Sequence, residues 1–325
     1  SGLTSSSVPT GTTNRVAYSE SFFDELGRVY KTTRHEINQS TGASSDTLDA
    51  LMWYDADGRQ VKMDGEQLTK TQYDRLGRVV AQFTLANTDD SAYADALDVD
   101  GDIVLEESRT GYDATTGLAL VRASIERRLD DKGGGERTGA LDDNDAIGGD
   151  NLPLKFTAED IFGRIQITAM WYDTLDRVVD TVAYGTHGIV GDGSTSTGTI
   201  DRSGLIVPAR SDTELRTTTT FNPDGSVLET TDPKGLVTRS LYDDAGRKTA
   251  VIANYVNGTP SGTTGDDDVY TRFVFTDGLQ TAYHVDEDGD GVQDAGEQVT
   301  TYTYGVTKGG SAGDSQMASG RLLKK

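Results

Sequence analysis

The chain contains no cysteine, so neither a disulfide framework nor thiolate chemistry is open to it. Histidine is nearly as scarce. The three present, His35, His187 and His284, lie far apart and in no metal-ligand spacing, which leaves no zinc-type site to argue for. No apolar run approaches the roughly 20 residues of a membrane helix, so membrane insertion by a helix is not expected. Helical periodicity is missing over any window of about 11 residues or more. Positive charge is in deficit: 30 Lys and Arg stand against 53 Asp and Glu, a net charge of −23. Such a field repels nucleic acid and attracts cations. No P-loop or dinucleotide fingerprint occurs. The stretch Gly309–Gly313, "GGSAG", satisfies the G-x-S-x-G pattern, but it sits in a Gly/Ser loop without the strand–turn–helix setting of a nucleophile elbow. Acids are numerous, yet most fall in turns that account for them locally. The chain therefore reads as non-enzymatic.

What the sequence does contain is glycine, tyrosine and β-branched residues: 38 Gly, 14 Tyr, and runs such as "RTTTTF", "TRFVF" and "VTTYTY" separated by Gly, Asp, Asn and Ser. The fold class is all-β. One phrase recurs: "FDELGRVY" from Phe23, "YDADGRQV" from Tyr54, "YDRLGRVV" from Tyr73, "YDTLDRVV" from Tyr172 and "YDDAGRKT" from Tyr242. Asp at the first position and Gly at the fourth write a type I turn, and the Asp carboxylate can accept N–H groups two residues on. Gly77 can take the left-handed conformation that closes the turn with a G1 bulge. Asp176 fills that slot in the fourth copy, and Asp tolerates it. After the turn the chain alternates, with Val79, Ala81 and Phe83 on one face and Arg78, Val80, Gln82 and Thr84 on the other. Each phrase is thus a strand end, a tight turn and a returning strand.

Looser copies extend the series: "GYDATTGLALV" from Gly111 with one extra turn residue, "EDIFGRIQIT" from Glu159, which keeps Asp160, Gly163 and Arg164, "FNPDGSVLET" from Phe221, and "TDPKGLVTRS" from Thr231. A lone hairpin is marginal in water, whereas stacked hairpins share a continuous buried face. Residues 1–20 read as a lead-in, and residues 21–325 as one continuous hairpin array interrupted by acidic and Gly-rich insertions. The ending "SGRLLKK" looks like half of a further phrase, so the chain reads as a piece of a longer protein. The recurring Y/F-D-x-x-G-R, stated most fully in "TDPKGLVTRSLYDDAGRKTAV", resembles the Rhs or YD-repeat family, which includes bacterial Rhs proteins, toxin-complex shells and teneurins. The resemblance implies stacked antiparallel hairpins in a continuous spiralling sheet, a segment of a hollow shell. It implies as partners the remainder of a longer YD-repeat chain or further copies, an encapsulated C-terminal domain or a surface partner, and a secreted or cell-surface location. It also leaves an alternative role, adhesion to a protein or glycan through the long loops. "DPKG" at Asp232–Gly235 is similar to a motif near the self-cleavage site of Rhs shells, but its place within the array reads as an ordinary turn.

The insertions Ser40–Asp49, Asp130–Asn151, Gly185–Gly204, Asn257–Asp268 and Lys308–Ser319 read as loops. One further stretch has a sharper pattern. "DEDGDGVQDAGE", Asp286 to Glu297, matches the twelve-residue calcium loop. Asp286, Asp288 and Asp290 fill positions 1, 3 and 5, and Gly291 is the glycine at 6. Val292 offers its carbonyl at 7, Asp294 binds directly or through water at 9, and Glu297 closes as a bidentate ligand at 12. The flanks "TAYHV" and "QVTTYTYG" read as strands, so this Ca²⁺ loop is expected in a hairpin. A weaker second site, Asp98, Asp100 and Asp102, lacks the glycine, because Ile103 takes its place. "DDNDAIGGD" from Asp142 has oxygen ligands without a recognisable spacing.

Overall fold

The computed structural model describes residues 17–127, 138–141, 155–157, 163–185, 199–201, 206–260, 267–286, 288–290, 292, 295–304 and 322–324. Among them the chain is all-β, apart from one 3-10 turn at Ala94–Leu97. Seventeen strands belong to one antiparallel sheet. The chain divides into two compact units, Ser1–Ala169 with Tyr184–Leu205, and Met170–Ala183 with Ile206–Lys325.

In the first unit the chain zigzags through β1 (Tyr18–Phe23), β2 (Val29–Ile37), β3 (Ser44–Tyr54), β4 (Gln60–Asp64), β5 (Leu68–Tyr73), β6 (Val79–Asn87), β7 (Ile103–Tyr112) and β8 (Ala119–Arg127). Each strand pairs antiparallel with the next. After β9 (Lys155–Thr157), β10 (Gly163–Tyr172) returns to β8 along Gly163–Ala169. Beyond β11 (Val178–Gly185), β12 (Thr199–Asp201) pairs with β9. The predicted alternation is present: Ala81, Phe83 and Leu85 of β6 are buried and Gln82 is exposed. They join Val104, Val121, Ala123, Ile125, Ile165 and Ile167 in one cluster. Period 2 decides which residues enter the core, because slipping a strand by one residue would turn its whole apolar set outward.

The second unit begins with the end of β10, the turn at Asp173 and β11, which pairs with β13 (Leu215–Phe221). From there β14 (Val227–Thr231), β15 (Val237–Tyr242), β16 (Lys248–Ala253), β17 (Val269–Thr276), β18 (Leu279–Asp286) and β19 (Val299–Thr301) follow in sequence, each antiparallel to the one before. Finally β20 (Thr303–Tyr304) pairs with β21 (Leu322–Lys324). Ala250, Ile252 and Tyr270 form the buried cluster here, with Leu241 and Tyr255 packed on it.

Two expectations need correction. The segment from Ser44 to Asp49, read as part of a loop, lengthens β3, with Ser44 opposite Ile37 and Thr47 opposite His35. Its Ser, Asp and Thr composition suggests a loop, but cross-strand pairing overrides composition. Gly163, read as a turn glycine, lies in β10 opposite Arg127. A Cβ there would come within 2.5 Å of the Glu126 carbonyl oxygen, so close backbone approach accounts for the glycine. Asp160, His187, the Gly309–Gly313 stretch, the acids from Asp142 and most of the predicted insertions lie outside the described residues.

Candidate functional site

The repeated phrase forms the same structure wherever it is complete. At Asp74 the main-chain N–H donates to the Arg78 carbonyl at 2.9 Å, and the Gly77 N–H donates back to the Asp74 carbonyl at 3.0 Å. Gly77 has φ +81°, and the register shifts between Gln72 and Tyr73, as a type I turn with a G1 bulge requires. Asp176 takes φ 61° in the glycine slot of its own turn. One oxygen of the Asp74 carboxylate accepts the Leu76 and Arg78 N–H groups, each at 2.9 Å, and the other accepts Arg78 Nε at 2.6 Å. Asp24, Asp55, Asp173 and Asp243 repeat this set with Arg28, Arg59, Arg177 and Arg247. The carboxyls of Asp24 and Asp243 lie below the usual carboxylate range, chiefly because the Arg28 and Arg247 main-chain N–H groups bind them. At Asp74 burial opposes ionisation, and the bonds from Arg78 outweigh it.

The arginine and the aromatic residue act between repeats. The Asp–Arg pair holds the guanidinium flat, and its face covers the aromatic ring of the next phrase. Arg28 lies 4.7 Å from the Tyr54 ring centroid, Arg59 5.0 Å from Tyr73 and Arg78 4.4 Å from Tyr112. In the second unit Arg177 lies 4.2 Å from Phe221 and Arg247 4.7 Å from Phe275. The tyrosine hydroxyl then donates to the carbonyl of the residue that follows the turn of the preceding phrase: Tyr54 to Val29 at 2.5 Å, Tyr73 to Gln60 at 3.0 Å, Tyr112 to Val79 at 2.9 Å and Tyr242 to Val227 at 3.0 Å. Within each unit these turns close alternate strand connections, so they line one edge of the meander. The phrase thus works as a clasp: Asp and Gly shape the turn, while Arg and, at Tyr54, Tyr73, Tyr112 and Tyr242, the tyrosine fasten it to its neighbours; the Tyr172 hydroxyl departs, turning to Met170 Sδ at 3.8 Å. The turn at Asp232–Gly235 joins β14 to β15, at the opposite end of β14 from the Asn222 turn. It is a plain turn without the phrase's own arginine, in which the Asp232 carboxylate accepts the Leu236 N–H at 2.8 Å and the Asp232 carbonyl accepts Arg210 Nε at 3.2 Å.

The acidic loop hangs between β18 and β19, so its flanks are strands. Carboxylate oxygens of Asp286, Asp288 and Asp290 lie within 4.8 Å of one another. Asp286 is fully buried, accepts the Gly289 N–H at 2.7 Å and pairs with Arg272 Nε. Arg272 also donates to the Gly289 carbonyl at 2.9 Å. Asp288 accepts the Asp290 N–H, and Asp290 accepts the Val292 N–H, as successive carboxylates do when they wrap a tight loop. Glu297 lies apart from that trio, its carboxylate 3.0 Å from His284 Nδ1. Gly291 and Asp294 lie outside the described residues.

The second acidic stretch is arranged differently. The segment from Thr88 to Asp102 folds back over β4 and β5, burying Ala96 and Val99. Asp98 turns its main-chain carbonyl to Lys70 Nζ at 2.7 Å, and Asp100 is exposed. Asp102 gathers with Asp89 and Asp90, their carboxylate oxygens within 4.8 Å of one another, and Asp90 and Asp102 both touch the same ammonium. A protein cation thus stands among these oxygens. Sequence reading missed both lysines and the Arg–Tyr half of the clasp, although every close copy writes an aromatic residue, Asp and Arg in the same frame.

Among the described residues no helix is long and apolar enough to cross a membrane. The fold and its clasps define the chain as an antiparallel β-hairpin repeat protein. No family model matches it, and no curated protein matches it. Among solved structures it is similar to TcdB2-TccC3, with 15% identity and a TM-score of 0.32 over 90% of this chain and 15% of that one. It is similar to the Photorhabdus luminescens Tc holotoxin pore, with 14% identity and a TM-score of 0.29 over 90% of this chain and 15% of that one. A porin-like protein from Bacteroides uniformis gives 8% identity and a TM-score of 0.26, over 83% of this chain and 91% of that one. The chain spans about 15% of the length of the first two. At these scores the functional reading rests on the chain's own residues.

Proposed function

We propose that the chain is a non-enzymatic structural wall segment of a larger secreted or surface-associated protein of the Rhs or YD-repeat kind, locked by calcium at Asp286–Glu297. The clasp supports this reading. In each complete copy the repeated Asp, Gly and Arg are spent on shaping one hairpin and fastening it to the next, and so are Tyr54, Tyr73 and Tyr112. An array of this kind gains stability from each neighbour interface it adds. Electron cryomicroscopy of the longer protein is the test: this stretch should appear within a continuous hairpin wall, and a free module on linkers would overturn the proposal.

The calcium lock rests on the trio Asp286, Asp288 and Asp290, whose mutual repulsion a divalent cation would relieve. Val292 would offer its carbonyl, and Asp294 and Glu297 would complete the oxygen set. Because the ion binds the folded loop, it stabilises the fold by mass action. At the affinities of extracellular modules, around 10⁻⁴–10⁻³ M, such a site fills outside a cell and stays empty in most cytosols. Scanning calorimetry should show a melting point that rises with Ca²⁺ in the wild type and rises less in Glu297→Gln. Identical curves in calcium and in chelator would reduce the loop to an acidic turn.

A further inference from the structure

The ammonium of Lys70 has three hydrogens to donate. Three acceptors take them: Asp90 Oδ1, the Asp95 carbonyl and the Asp98 carbonyl, each at 2.7 Å. A fourth oxygen, Asp102 Oδ2, lies 2.6 Å from the same nitrogen. The Lys70 side chain is 2% exposed and that of Asp102 0%. Among the described residues neither Asp102 carboxylate oxygen has a hydrogen-bond partner. A buried carboxylate that touches a nitrogen without receiving a hydrogen is costly, and apposition to Asp89 and Asp90 adds like-charge repulsion. Condensation with the amine it touches would remove that charge.

We propose that Lys70 and Asp102 are the partners of an intramolecular isopeptide bond, with Asp90 as the proton relay between them. Asp90 touches the reacting nitrogen and also holds Lys62 at 2.7 Å. Burial works to raise the Asp90 carboxyl, but the Lys62 and Lys70 ammonium groups outweigh it and hold it below the usual range, so it stands ionised against the reacting nitrogen. Asp90 takes a proton from Lys70 Nζ. The freed amine adds to Cγ of Asp102, and one carboxylate oxygen collects two protons, one through Asp90 and one from the attacking nitrogen, before its C–O bond breaks. One hydrogen stays on nitrogen as the amide N–H and two leave with the oxygen, so an ammonium and a carboxylate become an amide and one water, with no oxidant or reductant involved. The bond would tie β5 to the residue before β7, closing the Thr88–Asp102 segment over the wall with a covalent staple.

The full chain serves for the test. Mass spectrometry of folded, then denatured, wild-type protein should give a mass lower than the sequence by one water. Tryptic digestion should yield one branched peptide joining the Lys70 and Asp102 segments. Lys70→Arg and Asp90→Asn should each restore the sequence mass. A wild-type mass equal to the sequence, in protein shown to be folded by circular dichroism, overturns the proposal. So does a water loss that maps to a succinimide at an Asp–Gly step such as Asp100–Gly101 with no branched peptide. A cross-link that persists in Asp90→Asn overturns the relay assigned to Asp90.

Discussion

Replacing Asp90 with alanine should destabilise the fold by about 3–5 kcal/mol, the cost of breaking a buried ion pair by removing one partner. Lys62 and Lys70 stand directly opposite each other on β4 and β5. Like charges in that position repel. In the unlinked chain the Asp90 carboxylate spans them, 2.7 Å from each ammonium, and their side chains are 4% and 2% exposed. Lys62 would keep its contact with the Trp53 ring, at 4.7 Å, but would lose its counter-charge. The Thr88–Asp102 segment would lose its anchor, and with it the burial of Ala96 and Val99. Denaturant unfolding of Asp90→Ala beside Asp89→Ala checks the assignment, because Asp89 is exposed and bridges no lysine pair in the structure. Equal and small losses in the two variants would show that the segment is held by its apolar contacts alone.

How much of this could be read from the sequence follows from the range over which each residue acts. Asp74 and Gly77 shape their own turn, so five residues suffice to reveal them. The alternation at Val79–Thr84 reports on burial within one strand and was equally legible. Tyr112 and the turn it reaches are 33 residues apart, so the hydroxyl bond to Val79 could not be inferred from a local pattern. Lys70 and Asp90 are 20 residues apart and meet only because a segment folds back. Asp98, Asp100 and Asp102 read as one ligand set in the sequence, but only the Asp102 carboxylate meets Lys70, to which Asp98 turns its main-chain carbonyl. The acidic loop's flanking strands were legible because β18 and β19 are β-branched and aromatic, whereas the pairing of Asp286 with Arg272 and of Glu297 with His284 is tertiary.

Arg78→Ala is expected to cost about 2–3 kcal/mol, the scale of a charge-assisted hydrogen bond with a cation–π contact added. The guanidinium is bonded to Asp74 at 2.6 Å and covers Tyr112 at 4.4 Å, with 22% of the side chain exposed. Its removal leaves one Asp74 oxygen without that donor and uncovers the ring, so the loss falls on two neighbouring repeats at once. The turn itself should persist, because its main-chain bonds and the Leu76 N–H bond to Asp74 do not involve the arginine side chain. A loss below about 0.5 kcal/mol, the level of an ordinary surface substitution, would mean that the guanidinium is only solvated decoration.

The central claim is that the repeated phrase fastens successive hairpins to one another. A double-mutant cycle joining Arg78→Ala with Tyr112→Leu tests it most directly, read as unfolding free energies of the two single variants, the double variant and the wild type. The clasp predicts a coupling of about 0.5–1 kcal/mol or more between these two residues of different repeats. Losses that add to within about 0.3 kcal/mol would contradict it, because each residue would then serve its own hairpin alone.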